Sequence, residues 1–507
     1  MPLSIDHLRR QAKALRRDYD AGLPEAEQRV IAVLPEIGKL RHADALHIIA
    51  REAGHASWPK LKIASEIAAL DRDARAERLK MALFFGQHWV VERLLADDPG
   101  LGDVNLGLQI ALLRINAVSE RLKSDPEAAT RVIGVRAPIL HLAFSQHWRQ
   151  VPGGAEASVA LADLLVAGGA DVNASYPAGP DADNELSALY GALGHAGNLA
   201  LAEWLLERGA DPNDDESLYH STELGSSDGL KLLLRHGARP EGTNALLRAM
   251  DFDNLEMVEL LLDAGADPNE NPAEHPSGQP PLVIPGLHQA ARRMCSADLA
   301  RVLIARGADG TQPFHGHTAY AIARMRGNRA VAQVLQDAGQ ATVLDETEML
   351  LAKAADGPAD TRVDPKKLTD ETRRILTRIL GFDGTLDHVK RLIAIGIDPN
   401  WTDEQDMPAI HIAAWEGHAA AVTYLLGFSP DLELKNMYGG DLMGTVIHGA
   451  EFCPSRDHRD HLGAAQAILD AGSQLHRHDI NGCGVEEMRD ILEAWAEDHP
   501  DRVVEDT

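Results

Sequence analysis

Thirteen consecutive residues decide the fold of this chain: Asp406-Met-Pro-Ala-Ile-His-Ile-Ala-Ala-Trp-Glu-Gly-His418. A second helix is predicted directly after them, over residues 419–426, and a turn follows around Pro430. A unit of two short helices and a turn cannot bury its apolar face alone, so such units must stack on one another. The stretch therefore predicts a repeat protein that works by binding through an extended surface.

One kind of helix ending recurs along the chain and sets the repeat register. Each ending closes a Leu-rich helix, each glycine among them supplies a left-handed cap, and an Asp-Pro-Asn type of turn starts the next unit. Clear endings lie at Gly169, Gly209, Gly237, Gly265, Gly307 and Gly396, and weaker ones at Gly339, Ser429 and Gly472. Their spacings run from 28 to 57 residues, so short spacings indicate shortened turns and long spacings indicate insertions.

These features together resemble the ankyrin repeat, whose unit reads D-x-x-G-x-T-P-L-H-x-A-A-x-x-G-H followed by V-x-x-L-L-x-x-G-A-D. The resemblance covers roughly residues 75–480, two degenerate units at 78–99 and 109–126 included. It implies an all-α ankyrin-repeat solenoid of about ten helix pairs. Insertions are expected near residues 146–157, 270–285, 355–372 and 452–461.

The two ends of the chain differ from the repeats. Residues 1–72 are predicted to form helices that cap the solenoid, since the end of a solenoid needs a polar cover. Their run from Ala43 to Lys62 resembles a helical segment that precedes ankyrin repeats in bacterial proteins, and the likeness implies no activity. The repeats are assigned to residues 73–480, and a C-terminal helix with an acidic tail to residues 481–507.

Composition narrows the class of partner and the compartment. The chain has 49 basic and 77 acidic residues, a net charge of −28, which disfavours nucleic acid and anionic membranes and favours basic partners. The same charge could simply keep a long protein soluble. Three cysteines are too few for a disulfide scaffold, and no run has membrane-spanning length or the form of a signal sequence, so a cytoplasmic protein is predicted.

Motifs for catalysis are absent from the sequence: it contains no phosphate-binding loop, nucleophile elbow or zinc-protease helix. Histidines at the H of the T-P-L-H pattern are expected to bond backbone between repeats: His141, His288, His411 and His448. A zinc site is the weaker alternative for a cluster near the C-terminus, which comprises Cys453, His458, His461, His476, His478 and Cys483. The sequence therefore predicts no catalytic residue, no metal and no cofactor.

The repeat register predicts a row of side chains at the ends of the first helices, on the concave face in the ankyrin resemblance. Five of the eight phenylalanines fall at this kind of position. An apolar stripe with a charged rim is typical of a binding groove, although these side chains could also pack sideways between repeats. The predicted partner-binding residues are Phe84, Phe85, Leu224, Asp251, Phe252, Met294, Met325, Phe382, Asp383, Trp415, Glu416 and Phe452.

The function predicted from the sequence is a non-catalytic scaffold that captures a protein segment along this row. The partner is expected to carry basic residues beside its apolar anchors, and the oligomeric state is not predicted. Two alternatives stay open: a protein that sequesters a small apolar ligand, and an enzyme in the N-terminal helical region. The insertions at 146–157 and 452–461 are the second choice of binding site, because insertions in repeat proteins often lie on the binding face.

Overall fold

The computed structural model describes residues 5–38, 40, 42–179, 184–270, 284–402 and 407–505. Most of the predicted insertion at 270–285, and Asp406 of the opening stretch, lie outside these residues. The chain forms two compact units. The first unit contains residues 57–309 with Ile5, and the second contains residues 6–56 with residues from 310 onward. Within the described ranges, every helix is too short or too polar to cross a membrane.

Three helices precede the first unit in the chain and belong to the second: α1 (Ile5–Asp20), α2 (Pro24–Val33) and α3 (His42–Glu52). The apolar face of α1 is buried, since Leu8, Ala12 and Leu15 are at most 2% exposed.

The first unit is a series of stacked helix pairs in which consecutive first helices contact one another. Helix α11 continues into one π-helical turn (Gly191–His195), and the strands β1 and β2 pair antiparallel. Its elements are α4 (Trp58–Ala69), α5 (Arg72–Phe84), α6 (His88–Asp97), α7 (Leu106–Ala111), α8 (Ile115–Ser124), α9 (Pro138–Ala143), α10 (Gly154–Ala167), β1 (Ser175–Pro177), β2 (Glu185–Ser187), α11 (Ala188–Tyr190), α12 (Leu199–Glu207), α13 (Ser217–Ser221), α14 (Asp228–Arg235), α15 (Ala245–Asp251), α16 (Leu255–Asp263), α17 (Gly286–Arg292) and α18 (Ala297–Ala305).

The second unit continues with the same architecture, and its strands β3 and β4 pair parallel. The predicted insertion at 355–372 contains a 3-10 turn (Pro365–Lys367) and the short helix α22. The elements are α19 (Ala319–Arg326), α20 (Arg329–Asp337), α21 (Glu346–Asp356), α22 (Asp370–Arg373), α23 (Ile375–Ile379), α24 (Leu386–Ala394), α25 (Ala409–Trp415), α26 (Ala419–Leu426), α27 (Leu442–Phe452), α28 (His461–Ala471), β3 (Leu475–His476), α29 (Arg477–Gly482), α30 (Glu486–Asp498) and β4 (Val503–Val504).

The predicted helix endings adopt the left-handed backbone conformation that the sequence requires of them. All nine have positive φ, from 51° at Ser429 to 112° at Gly472. The asparagine that follows several endings joins neighbouring repeats: Asn269 donates to the carbonyl of Gly307 at 2.9 Å and accepts from the amide of Asp309 at 2.7 Å. Asn173 and Asn213 make the same pair of bonds with the repeats that follow them. The endings thus cap each repeat and set its distance from the next.

The N-terminal helices pack against the last helix of the second unit. Helix α3 contacts α30, and α1 is joined to α30 by ion pairs from Lys13 to Glu493 at 2.6 Å and from Arg9 to Glu486 at 3.8 Å. Helix α4 contacts α6 and groups with the first unit instead. The boundary between the two units at residues 56 and 57 therefore falls inside residues 1–72, which the sequence predicts to be one cap.

Candidate binding surface

Two neighbouring turns of the second unit carry four of the predicted binding residues. Phe382 and Asp383 follow α23, where the amide of Phe382 bonds the carbonyl of Ile379 at 3.1 Å. Trp415 and Glu416 end α25, where the amide of Glu416 bonds the carbonyl of Ile412 at 3.0 Å. Both side chains at the ends of these helices, Phe382 and Trp415, are half-buried.

The insertion at 452–461 is bound to the second of these turns. The amide of Asp460 donates to the carbonyl of Gly417 at 3.0 Å, and the ring of His461 lies 2.9 Å from the carbonyl of Trp415. The thiol of Cys453 lies 3.6 Å from the carboxylate of Glu416. The insertion is therefore folded onto the preceding repeat, and it brings its own side chains to the predicted row.

Arg459 of the insertion joins the two turns. Its Nη1 lies 2.6 Å from Oδ1 of Asp383 and within 2.9 Å of both ring nitrogens of His418, and its Nη2 lies 3.8 Å from Glu416. The Arg459 side chain is 8% exposed, whereas that of Asp383 is 84% exposed. A nearly buried guanidinium is thus held by one exposed and one largely buried carboxylate.

The protonation of these groups follows from burial and from Arg459. Burial lowers the pKa of His418 below its ordinary value, and the nearby Arg459 cation lowers it further. Burial raises the pKa of Glu416, against the opposing effect of Arg459. His418 is therefore neutral near pH 7 and can accept a hydrogen bond from Arg459.

A cavity of about 340 Å³ opens between these elements. It is lined by the turn at 380–386, the turn at 417–421 and residues 458–460. Leu380 and Ala421 are buried, while Asp383, His458 and Asp460 are exposed, so the floor is apolar and the rim is polar. Ligand pockets commonly measure about 300–1,000 Å³, and the size of this cavity is compatible with a bound side chain or small molecule.

An aromatic group extends from Trp415 along α27. The ring of Trp415 lies 5.3 Å from that of His448, which lies 4.6 Å from that of Phe452. Phe452 is 54% exposed. A Cβ at Gly449 would overlap the backbone of Trp415, so the glycine is what allows α27 to approach the end of α25. The row of Phe382, Trp415 and Phe452 is thus present on neighbouring elements.

His448 does not have the role that the sequence predicted. It is exposed and lies in the aromatic group, and the residue that contacts the buried His411 is Thr445, at 3.2 Å. The helix is capped by Asp441, four residues before Thr445, where the Thr445-Val-Ile-His448 alignment would place the cap. His141 does bond backbone as predicted, 3.2 Å from the carbonyl of Ile133.

Phe84 in the first unit is enclosed by other rings. It stacks on Phe144 with the ring centres 5.8 Å apart and lies 4.0 Å from His195. The guanidinium of Arg136 lies 4.7 Å from the Phe84 ring and 4.4 Å from that of Tyr176, and it donates to the Tyr176 hydroxyl at 2.6 Å. A cavity of only about 70 Å³ adjoins this group. Phe85, its neighbour, is 55% exposed.

Phe252 and Asp251 form a second group in the first unit. Phe252 is 52% exposed, with the guanidinium of Arg248 4.8 Å from its ring. Arg248 also pairs with Asp251 at 3.1 Å and with Glu223 at 2.7 Å. Asp251 has a second pairing, with Arg293 at 2.7 Å. The predicted acidic rim is therefore present, and its charges are paired within the chain.

Three remaining members of the predicted row lie elsewhere. Met325 is 2% exposed, so its side chain belongs to the core and is not available to a partner, which corrects the sequence prediction. The reason is local: α19 ends one residue later, at Arg326, so Met325 still faces the neighbouring helix α21. Leu224 and Met294 are half-buried.

The predicted zinc donors have other contacts. Cys453 lies against Glu416, His461 against the carbonyl of Trp415, and the thiol of Cys483 donates to the carbonyl of Val485 at 3.3 Å. A different trio places potential ligand atoms within 4.8 Å of one another: Glu433, Asp441 and His476. These could hold a divalent cation, but Asp441 is already engaged, since it caps α27 through Gly444 at 2.8 Å.

The arginines of the surface were missed by the sequence reasoning. Arg136 and Arg459 each contact the predicted row from another part of the chain, whereas Arg248 contacts it from the same helix, α15. Arg149 of the insertion at 146–157 similarly donates to the carbonyl of Ala196 at 2.7 Å. Counting positions within a repeat cannot reveal such contacts, although arginine in both insertions was a visible signal.

Comparisons with known proteins agree with the repeat architecture. A family model described as ankyrin repeats (3 copies) matches residues 189–272, and one described as ankyrin repeats (many copies) matches residues 379–426. The matched segments include the turns that carry Phe252, Phe382 and Trp415. The chain is an ankyrin-repeat protein, with an all-α fold of stacked repeats.

Two solved structures illustrate the likeness. The ankyrin repeat domain of Bcl-3, described as a unique member of the IkappaB protein family, is 22% identical and aligns over 46% of this chain and 99% of its own, with a TM-score of 0.34. The human ASB11 ankyrin repeat domain is 18% identical and aligns over 50% of this chain and 97% of its own, with a TM-score of 0.22.

Proposed function

We propose that this ankyrin-repeat protein is a non-catalytic scaffold that captures a segment of a partner protein along the ends of its first helices. Ankyrin repeats indicate a protein–protein interaction scaffold. The observation that carries the finer proposal is the aromatic row of the second unit, where Phe382, Trp415 and Phe452 lie on three neighbouring elements beside a cavity. Rings that are partly exposed in this way serve as anchors in protein interfaces.

The first unit supports the same use of the first-helix ends. Phe85 and Phe252 are both more than half exposed at the equivalent positions. Exposed aromatic side chains at repeated positions would let one extended segment, or two short ones, bind to each unit. Phe84 contributes to this surface by holding Phe85 in place, with the two ring centres 4.9 Å apart.

The proposed partner carries basic residues beside its apolar anchors. The net charge of −28 attracts a basic segment over long range and repels phosphate backbones, so nucleic acid and anionic membranes are poor partners. The rim carboxylates Asp251 and Asp383 are paired with arginines of the chain itself. An incoming cation would therefore share or exchange these pairs.

The three cysteines are compatible with a reducing compartment such as the cytoplasm. All three are buried, and burial raises the pKa of Cys295 to about 12 and that of Cys483 to about 11. Thiols of such high pKa react slowly because little thiolate is present. They are proposed to be structural parts of the core.

Phe452→Ala is the sharpest test of capture, because the exposed ring can be removed without opening the core. The partner is first identified by affinity capture with the full chain, and its affinity is then measured by calorimetry. We expect Phe452→Ala to weaken binding by roughly 30-fold, which corresponds to about 2 kcal/mol and is typical of an anchor residue. Trp415→Ala and Phe382→Ala should weaken it at least as much.

Tyr438→Ala is the matched control, since Tyr438 is 80% exposed on the turn at 436–440, which does not line the cavity. It should leave the affinity unchanged. Unchanged binding by a normally folded Phe452→Ala would show that the row is not the site.

The cavity favours one second candidate, the binding of a small apolar ligand. Its volume of about 340 Å³ and its floor of Leu380 and Ala421 suit such a ligand. Phe452 does not line this cavity. A small ligand would therefore raise the melting temperature of the wild type and of Phe452→Ala equally, whereas a captured protein segment would not.

A further inference from the structure

The cavity of the second unit has an excess of negative charge. The charged groups around it are Asp383 from the turn after α23, Asp460 and Arg459 from the insertion, and Glu416 behind Arg459. His418 is neutral near pH 7 because burial and Arg459 lower its pKa. Three carboxylates thus face one guanidinium.

The exposed side chain of His458 also lies on the rim of the cavity. A positive charge on it would still leave three carboxylates against two cations when Glu416 is ionised, so the net charge around the cavity would stay negative.

Arg459 shows that the cavity wall already binds a guanidinium. Its contacts are a carboxylate at 2.6 Å and a neutral imidazole at 2.7 Å. The Asp383 carboxylate contacts Arg459 through Oδ1 at 2.6 Å, and the Asp383 side chain is 84% exposed. A second cation can therefore approach the same carboxylate from the cavity side without displacing Arg459.

The shape of the cavity suits a long basic side chain. The floor at Leu380 and Ala421 is buried, and the charged groups Asp383 and Asp460 lie on the rim. Lysine and arginine bury an apolar stem while keeping the charged head near water. A short side chain would not contact the apolar floor. A neutral polar side chain would leave the carboxylates without an ion pair.

We propose that this cavity binds one arginine or lysine side chain of the captured segment, with Asp383 as the residue that selects the positive charge. The inference rests on the proposed capture of a protein segment and adds where its basic residue binds. Phe382 borders the same cavity, so the residue next to the cation in the segment is apolar and contacts this ring.

A defined probe tests the inference without knowledge of the partner. The full chain is labelled with carbon-13 in its alanine methyl groups, because Ala419, Ala420 and Ala421 line the cavity and report on it directly. It is titrated with N-acetyl-phenylalanyl-arginine amide. The matched probe replaces arginine with citrulline, which keeps the shape of the side chain and removes its charge.

We expect the arginine probe to shift these three methyl signals and the citrulline probe to bind about tenfold more weakly. Asp383→Asn should weaken the arginine probe by about fivefold, the upper range for an ion pair accessible to solvent. Asp387→Asn is the control, since Asp387 is 82% exposed at the start of α24 but does not line the cavity, and it should leave the affinity unchanged.

Equal binding of the two probes would overturn the inference, as would shifts confined to alanines elsewhere or an unchanged affinity in Asp383→Asn. The result is separable from the proposed function, because Phe452 does not line the cavity. If Phe452→Ala keeps its partner while the arginine probe still depends on Asp383, the capture row fails and the cation pocket stands.

Discussion

Arg136 in the first unit and Arg459 in the second both reach the end of a first helix, but they are held by different chemistry. Arg136 lies among the rings of Phe84 and Tyr176, 4.7 and 4.4 Å from their centres. Arg459 lies beside Asp383, at 2.6 Å. Rings enclose a cation and close the surface around it, whereas an exposed carboxylate can be shared with a second cation.

The space left beside each arginine follows from this difference. The cavity next to the Arg136 group measures about 70 Å³ and the one next to Arg459 about 340 Å³. Phe144, at 2% exposure, fills the centre of the first group. The same repeat position can therefore be enclosed by rings in one unit and lie beside an open cavity in another, depending on what the neighbouring loop supplies.

The largest expected effect is the loss of the Phe144 ring. Phe144→Ala should destabilise the first unit by about 3–5 kcal/mol, as buried Phe→Ala changes do. Hydrogen exchange should show the loss of protection in α5, α9 and α11, because repeats depend mainly on their neighbours. Phe85→Ala, at an exposed ring of the same group, should cost less than about 0.5 kcal/mol; equal costs would refute the contrast between enclosed and exposed rings.

Acid should weaken both units through their buried histidines. Burial lowers the pKa of His141 and of His411 to about 4, against about 6.5 in the unfolded chain. Between pH 6.5 and pH 4 the unfolded state binds more protons than the folded state. The histidine contribution to the free energy of unfolding is therefore fully present above about pH 6.5 and is lost as pH falls towards 4.

For His411 alone, the loss at pH 5 is about 2 kcal/mol, by linkage from this shift of the pKa. Urea unfolding at pH 8 and pH 5, followed by hydrogen exchange in α25, measures it. His411→Gln should lessen the dependence in the second unit without removing it, because burial also lowers the pKa of His388 there to about 4, and it should leave that of the first unit unchanged. An equally steep dependence in the variant would contradict the assignment.

The smallest effects concern the two arginines themselves. Arg136→Gln should cost about 1–2 kcal/mol, the range of a partly desolvated cation–π group, and the cost should be similar in low and high salt. Arg459→Gln should cost about 1 kcal/mol or less, and less again in about 1 M NaCl, because Asp383 is exposed and its charge is screened. Urea unfolding of both variants at both salt concentrations measures these costs. The same salt dependence for both variants would contradict the difference between the two arginines.

The repeat endings could be predicted from the sequence because their cause is local. A left-handed cap needs glycine or a tolerant residue at one position, and each predicted ending has the expected positive φ, Ser429 included. A C-terminal helix is predicted within residues 481–507 for the same kind of reason, and the structure has one at Glu486–Asp498. Features that depend on local backbone conformation can therefore be predicted from a single sequence.

The candidate surface was only partly predictable, because its chemistry depends on contacts between distant residues. Trp415 ends α25 and Phe382 lies in the turn after α23, but Met325 is in the core, since α19 continues through Arg326. It did not reveal that Arg459 reaches Asp383 and His418. That contact depends on the path of an insertion, which no repeat pattern specifies.

The packing of α1 and α3 on α30 has a consequence for synthesis of the protein on the ribosome. Residues 486–498 leave the ribosome after every repeat has been made, about 25–100 s after α1 at 5–20 residues per second. Throughout that interval Lys13 and Arg9 lack the carboxylates of Glu493 and Glu486, and α3 lacks its partner helix. Helices α1 and α3 are made well before α30 and must wait for it to reach their final contacts, so a chaperone that shields an apolar helix would have a long opportunity there.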